Sequence, residues 1–227
     1  MKNLLKKISR NSIAVASLLL ALNVQAFEQD KVLTLPYYNS ANFTPQWLTP
    51  NSPELKDFHK ISDFKWLNQQ GEYVTSSDFD NKVYVASFFF TTCPGICPKM
   101  RSQLSQVQEV FADNDNVAII SHSIQPGNDT VEVLQEYAEM HGVKSGKWHL
   151  ITGERDDIYA AARNDYFANE DLGEFVSNND FLHTENLVLV DSHRHIRGIY
   201  NGLNKVSVNH LLSDIKVLEE ERKKALN

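Results

Sequence analysis

The sequence predicts an α/β fold: a three-layer sandwich with an added N-terminal β-hairpin and an irregular N-terminal arm. Three observations carry that reading. "KVYVASFFF" and "NVAIISHSI" are continuous apolar and β-branched runs, as expected of strands buried on both faces. Segments with helical apolar spacing alternate with them, for example Met100, Leu104, Val107 and Phe111. The chain has 227 residues, enough for one good-sized core.

Taken in order, residues 1–26 read as a secretory signal peptide. Lys2, Lys6, Lys7 and Arg10 form a basic start, Ser12 to Val24 an apolar run of 13 residues, and Val24-Gln25-Ala26 a cleavage site. That run is short of the roughly 20 residues that span a bilayer as a helix. Export to the periplasm is expected, the product being soluble or loosely membrane-associated. An uncleaved N-terminal anchor is the alternative. Residues 27–60 form the arm, where Pro36, Pro45, Pro50 and Pro53 forbid a long regular element. Its several aromatics suggest that it packs on the domain.

Residues 61–227 form that domain. "DFKWLNQQGEYVTSSDF" turns at a polar Asn-Gln-Gln-Gly between short runs, a hairpin signal. Lys82 to Phe90 is a central strand, and Lys99 to Phe111 a helix. Asn116 to Ile124 is a second buried strand. "DTVEVLQEYAEMHG" is a helix capped by Asp129 or Thr130 and stopped by Gly142. "KWHLITG" is a strand and "ERDDIYAAARNDYF" a helix. "ENLVLVDSHRHIRGIYNG" is a hairpin turning at Asp191-Ser192-His193-Arg194, and "VSVNHLLSDIKVLEEERKK" a terminal helix. This order within one short domain gives a sandwich of thioredoxin type.

Without residues 1–26 the chain carries 18 basic and 29 acidic residues, a net charge of −11. That excludes a basic footprint for nucleic acid and disfavours attachment to anionic lipid. A monomer is expected.

Both cysteines lie in "TTCPGICPKM". In an oxidising compartment cysteines usually form structural disulfides, but a loop this short constrains the unfolded chain little. The pair is better placed for chemistry. Cys93 follows the central strand and Cys97 lies about one helical turn on, so both sulfurs can share a face. Pro98 suits a first helical turn, and the helix N-terminus is expected to lower thiol pKa values. Two such thiolates suit soft Cu(I), although a redox pair or two core cysteines would read the same way. A third ligand would come from elsewhere. His183 stands before the strand Leu187 to Val190, in a loop that packs against the cysteine loop in a thioredoxin-type fold. It can complete a Cys2His site. His193 and His195 form an HxH pair in an expected exposed turn and are a weaker second-metal candidate. His122 reads as a core histidine, and the runs Asp156-Asp157 and Glu219-Glu220-Glu221 as solvated helix faces.

Several motifs in order then resemble the Sco/SenC family, thioredoxin-fold copper proteins of cytochrome c oxidase assembly. "SFFFTTCPGICPKM", "HSIQPGNDTVEVLQEYAEMHG", "KWHLITGERDDI" and His183 before "LVLVD" match the family's pattern. The resemblance spans roughly Asp63 to the terminal helix. "LPYYNSANFTPQW" resembles an arm of a bacterial subset. The family resemblance implies Cys93, Cys97 and His183 as ligands to Cu(I) or Cu(II), the copper-centre subunit of the oxidase as partner, and a copper donor chaperone upstream. Gln125-Pro126 replaces the family's Asp-Pro, Thr130-Val131 its Thr-Pro, and Leu182 an acidic neighbour of the histidine. The resemblance thus implies a metallochaperone. The competing expectation is a thiol–disulfide oxidoreductase in which Cys93 attacks and Cys97 resolves, without need of His183. A peroxidatic Cys93 is disfavoured, because Phe90 stands where a threonine is expected.

Overall fold

The computed structural model describes residues 34–168 and 184–225. Residues 1–26, expected to be a leader, and His183 lie outside them. The described strands are β1 (Lys65–Asn68), β2 (Tyr73–Thr75), β3 (Val83–Phe89), β4 (Val117–Ser123), β5 (Trp148–Thr152), β6 (Asn186–Val190) and β7 (Ile196–Asn201). The described helices are α1 (Cys97–Val110), α2 (Val131–His141), α3 (Arg155–Asn164) and α4 (Lys205–Ala225). The strands form one sheet ordered β2-β1-β5-β4-β3-β6-β7. β3, β4 and β5 run parallel, joined through α1 and α2. The two hairpins flank them with antiparallel pairings.

Strand periodicity explains the layers. In β3, Val83, Val85 and Phe89 join one core cluster, and Tyr84, Ala86 and Phe88 the other. All seven residues of β3 and of β4 are buried. α1 brings Met100, Leu104 and Val107 to the first cluster, α2 brings Leu134 and Ala138, and α4 brings Val208, Leu211, Ile215 and Leu218. α3 covers the other face with Ile158 and Ala162. Each of the larger side chains contributes about 1.5–3 kcal/mol on burial. α2 is capped by Thr130, whose hydroxyl accepts the Val133 N–H, and it ends at Gly142 with φ +66°.

Between residues 34 and 60 the regular structure is a 3-10 helix, Pro53–Asp57, and two isolated bridges. One bridge joins Tyr38 to Ile196 of β7. Tyr37 is only 2% exposed and packs edge-on against Phe58 and His195.

Two expectations about polar residues need correction. The Asp191–Arg194 turn exposes His193 but not His195. The His195 ring is wedged between Tyr37 and Phe58, and its Nδ1 donates to the His59 carbonyl at 2.8 Å. The acidic run of α4 is not one solvated face. Glu219 is on the packed side with Leu211, Ile215 and Leu218, and accepts from Asn114 and Arg222. Glu221 pairs with buried Arg197, while Glu220 stays outside. Three consecutive helical residues point roughly 100° apart, so a run cannot share one face.

His122 is a core histidine, as expected. It is 0% exposed, stacked on Phe88 at 5.1 Å, and neither ring nitrogen has a hydrogen-bond partner. Burial pushes its imidazole down to about 4. The neutral ring is the stable form here, so its contribution is complete above the unfolded value near 6.5 and is lost as pH falls toward 4. The full span corresponds to about 3 kcal/mol. Urea unfolding between pH 7.5 and 4.5 should show stability falling, with a shallower slope in His122→Leu. His149, shifted down mainly by burial, keeps part of the slope. Equal slopes in parent and variant would contradict the assignment.

Candidate metal centre

The cysteine loop leaves the sheet at the C-terminal end of β3. The Cys93 N–H donates to the Phe90 carbonyl at 3.3 Å. Ile96 is already helical at φ −78°, and the Lys99 and Met100 amides close the first turn on its carbonyl at 3.0 Å each. Cys97 opens α1. Pro98 follows where a helix leaves backbone donors unused, so its missing N–H costs nothing. Cys93 is 8% exposed and Cys97 is 5% exposed, while Pro94 and Gly95 between them face solvent.

The two sulfurs are neighbours, both as free thiols. Burial alone would raise the Cys93 thiol. A hydrogen bond from the Cys97 thiol, with the N–H groups of Cys97, Gly95 and Ile96, outweighs it and brings Cys93 below the ordinary cysteine value. Cys97 is instead pushed up to about 12, by burial first and then by its bond to Cys93. The expectation that the helix N-terminus lowers both thiols is thus corrected. Loop amides outnumber the other effects at Cys93, while at Cys97 burial outweighs the Phe90 and Cys97 amides. Two neighbouring soft donors, one with its thiol lowered from the ordinary cysteine value, are a donor set for a soft metal.

Below Cys97 lies a cavity of about 20 Å³, bordered by Ser87, Met100, Arg101, Ser121, Tyr137 and Trp148. The Ser87 and Ser121 hydroxyls are 2.7 Å apart, and the Trp148 Nε1–H donates to Ser121 at 2.9 Å. Arg101, one turn after Cys97, donates to the Tyr137 hydroxyl at 3.1 Å. Above the loop, Asp129 is fully buried and takes hydrogen bonds from Thr91 and Ser123. None of these contacts was legible locally. Asp129 presents itself in sequence as a helix-cap candidate and as part of the segment that resembles the family, and Thr130 takes the capping role.

His183 lies outside the described residues, but the segment just after it is described. The register Ala86↔Val188 sets the start of β6 beside the end of β3, from which the cysteine loop departs. Gly202 donates to the Glu185 carbonyl at 2.7 Å. A Cβ on Gly202 would meet the Glu185 carbonyl oxygen at 3.0 Å, Leu187 Cγ at 3.1 Å and Met100 Cγ at 3.2 Å. The segment leading into β6 therefore lies against the first turn of α1.

The other histidines are dispersed. His59 Nε2 donates to the Asp165 carbonyl at 2.8 Å, and His141 packs on Tyr137 at 4.4 Å. His193 and His210 are exposed. The buried His195 ring leaves the HxH pair without a common third donor. Among the described residues no three His, Cys, Asp or Glu side chains gather as a metal site.

A family model described as SCO1/SenC matches residues 52–218. The SCO1 protein homolog of Bacillus subtilis (strain 168) is 27% identical over 163 residues, covering 70% of this chain and 82% of that protein. Among solved structures, BsSco superposes with a TM-score of 0.59 at 26% identity, covering 70% of this chain and 92% of that one. It is described as a member of the Sco family of cytochrome c oxidase assembly proteins with a disulfide switch. Copper-bound ScoI of Bradyrhizobium japonicum gives a TM-score of 0.56 at 21% identity, covering 70% of this chain and 99% of that one. That likeness speaks to the fold, which is thioredoxin-like.

Proposed function

Because the chain belongs to the SCO1/SenC family, we propose that it is a copper metallochaperone of cytochrome c oxidase assembly. It carries one copper, Cu(I) or Cu(II), on Cys93, Cys97 and His183 and delivers it to the dinuclear copper centre of the oxidase. What supports this reading is the buried, neighbouring cysteine pair, with Gly202 set between the segment that follows His183 and Met100 in the first turn of α1. Thiolates that face one another pass Cu(I) by ligand exchange, so the ion need never be free. Loading must displace the proton held on Cys97 and therefore releases acid. Residues 1–26 are read as the leader, 27–60 as the arm and 61–227 as the copper domain, acting as a monomer after export to the periplasm and receiving copper from a donor chaperone. Among the described residues no helix is long and apolar enough to cross a membrane.

One observation favours a second reading. The Cys93 thiol is lowered from the ordinary cysteine value, the Cys97 thiol beside it being a cause. In a dithiol exchange Cys93 attacks a substrate disulfide, Cys97 displaces it, and two electrons and two protons pass to the substrate, leaving a Cys93–Cys97 disulfide. The substrate would be the cysteine pair of the oxidase copper subunit.

A transfer assay separates the two. Cu(I)-loaded protein is mixed with the copper-binding domain of the oxidase subunit, supplied reduced or disulfide-bonded. The chaperone reading expects copper to appear on the reduced acceptor, with the Cys93–Cys97 dithiol intact. Thiols gained by the disulfide-bonded acceptor, without copper movement, would favour the reductase.

A further inference from the structure

We propose that Asp129 is a positioning residue for the cysteine loop, holding it in the open dithiol arrangement that receives a metal. The loop has little regular backbone bonding of its own. Between Thr91 and Cys97 the backbone–backbone bond donated within the loop is that of the Cys93 N–H to the Phe90 carbonyl at 3.3 Å. Its position must be fixed from outside, and the fixed point is Thr91, two residues before Cys93. The Thr91 N–H donates to Asp129 Oδ2 at 3.2 Å and its hydroxyl to Oδ1. Ser123, at the end of β4, donates its hydroxyl to Oδ2 and accepts the Gln125 N–H at 3.1 Å. One carboxyl group thus staples the loops that leave adjacent parallel strands.

Burying a carboxylate is costly unless it is well bonded. All three of these donors are neutral, and the helix that Asp129 precedes is capped by Thr130 instead. The group is therefore not needed to start α2. Its bonds go to the cysteine loop, and an unpinned loop collapses more readily onto the closed disulfide.

The test is equilibration of the metal-free full chain with a glutathione buffer. Oxidation removes one proton and one electron from each cysteine and reduces glutathione disulfide to two glutathiones. Thr91→Val and Asp129→Asn are expected to shift the dithiol–disulfide constant about tenfold toward the disulfide, about 30 mV. Thr91→Ser, which keeps the hydroxyl, is expected to match the parent. Thermal midpoints are recorded beside these values. Lowered midpoints with an unmoved glutathione equilibrium would overturn the proposal, as would failure of Thr91→Ser to restore the parent value. The metal-receiving role rests on the copper reading above. A second arm measures Cu(I) affinity by chelator competition, where Thr91→Val is expected to bind about tenfold more weakly. A shift in glutathione with no copper bound by any form would support the positioning role and sink the copper reading instead.

Discussion

Replacing Arg197 by alanine is expected to lower the unfolding free energy by roughly 3–5 kcal/mol, the cost of breaking a buried ion pair by removing one partner. The Arg197 side chain is 2% exposed. One guanidinium nitrogen lies 3.0 Å from Asp191 and 2.9 Å from Glu221. The group also donates to the carbonyls of Pro36 at 3.1 Å and Leu35 at 2.8 Å, and lies over the Tyr37 ring at 3.8 Å. It therefore joins β7, the last turns of α4 and the arm at one point. Alanine would strand two poorly hydrated carboxylates and two carbonyl oxygens. Lysine restores the charge but not the fork, so Arg197→Lys should fall between alanine and parent. Urea unfolding measures the loss, and limited proteolysis between residues 34 and 60 should show the arm released. A change below about 1 kcal/mol would mean that the pairs contribute little.

The largest expected effect on binding is at Cys97. Removing it should weaken Cu(I) binding by well over the roughly 10–100-fold that outer-sphere partners contribute. Cys97→Ala leaves Cys93 without its second soft donor and leaves a gap against the small cavity. Cys97→Ser fills that space but supplies a poor ligand for Cu(I). If copper affinity tracks sulfur rather than volume, both variants lose binding alike. Recovery by serine would make packing the cause.

Much of the fold was legible because its signals are local. β3 and β4 announced themselves by uninterrupted apolar runs, α2 by its cap and Gly142, and the last hairpin by its turn. The cysteine pair was legible for the same reason, being four residues apart at a strand–helix junction. What the sequence hid depends on contacts between distant residues. Nothing near Arg197 marks it as the anchor of an arm some 160 residues earlier. Nothing near Asp129 points to Thr91, 38 positions away. The opposite pKa shifts of Cys93 and Cys97 follow from how burial is balanced against backbone amides at each sulfur, and spacing alone does not carry that.

Copper stoichiometry under a competing chelator tests the central claim most directly, run on the reduced parent beside Cys93→Ala, Cys97→Ala and His183→Ala. The account predicts one tightly held copper per chain in the parent and its loss in both cysteine variants. His183→Ala should lose most Cu(II) binding while its Cys93–Cys97 disulfide still forms. No tight copper in the parent, or a His183→Ala variant that binds like the parent, would contradict the Cys2His site.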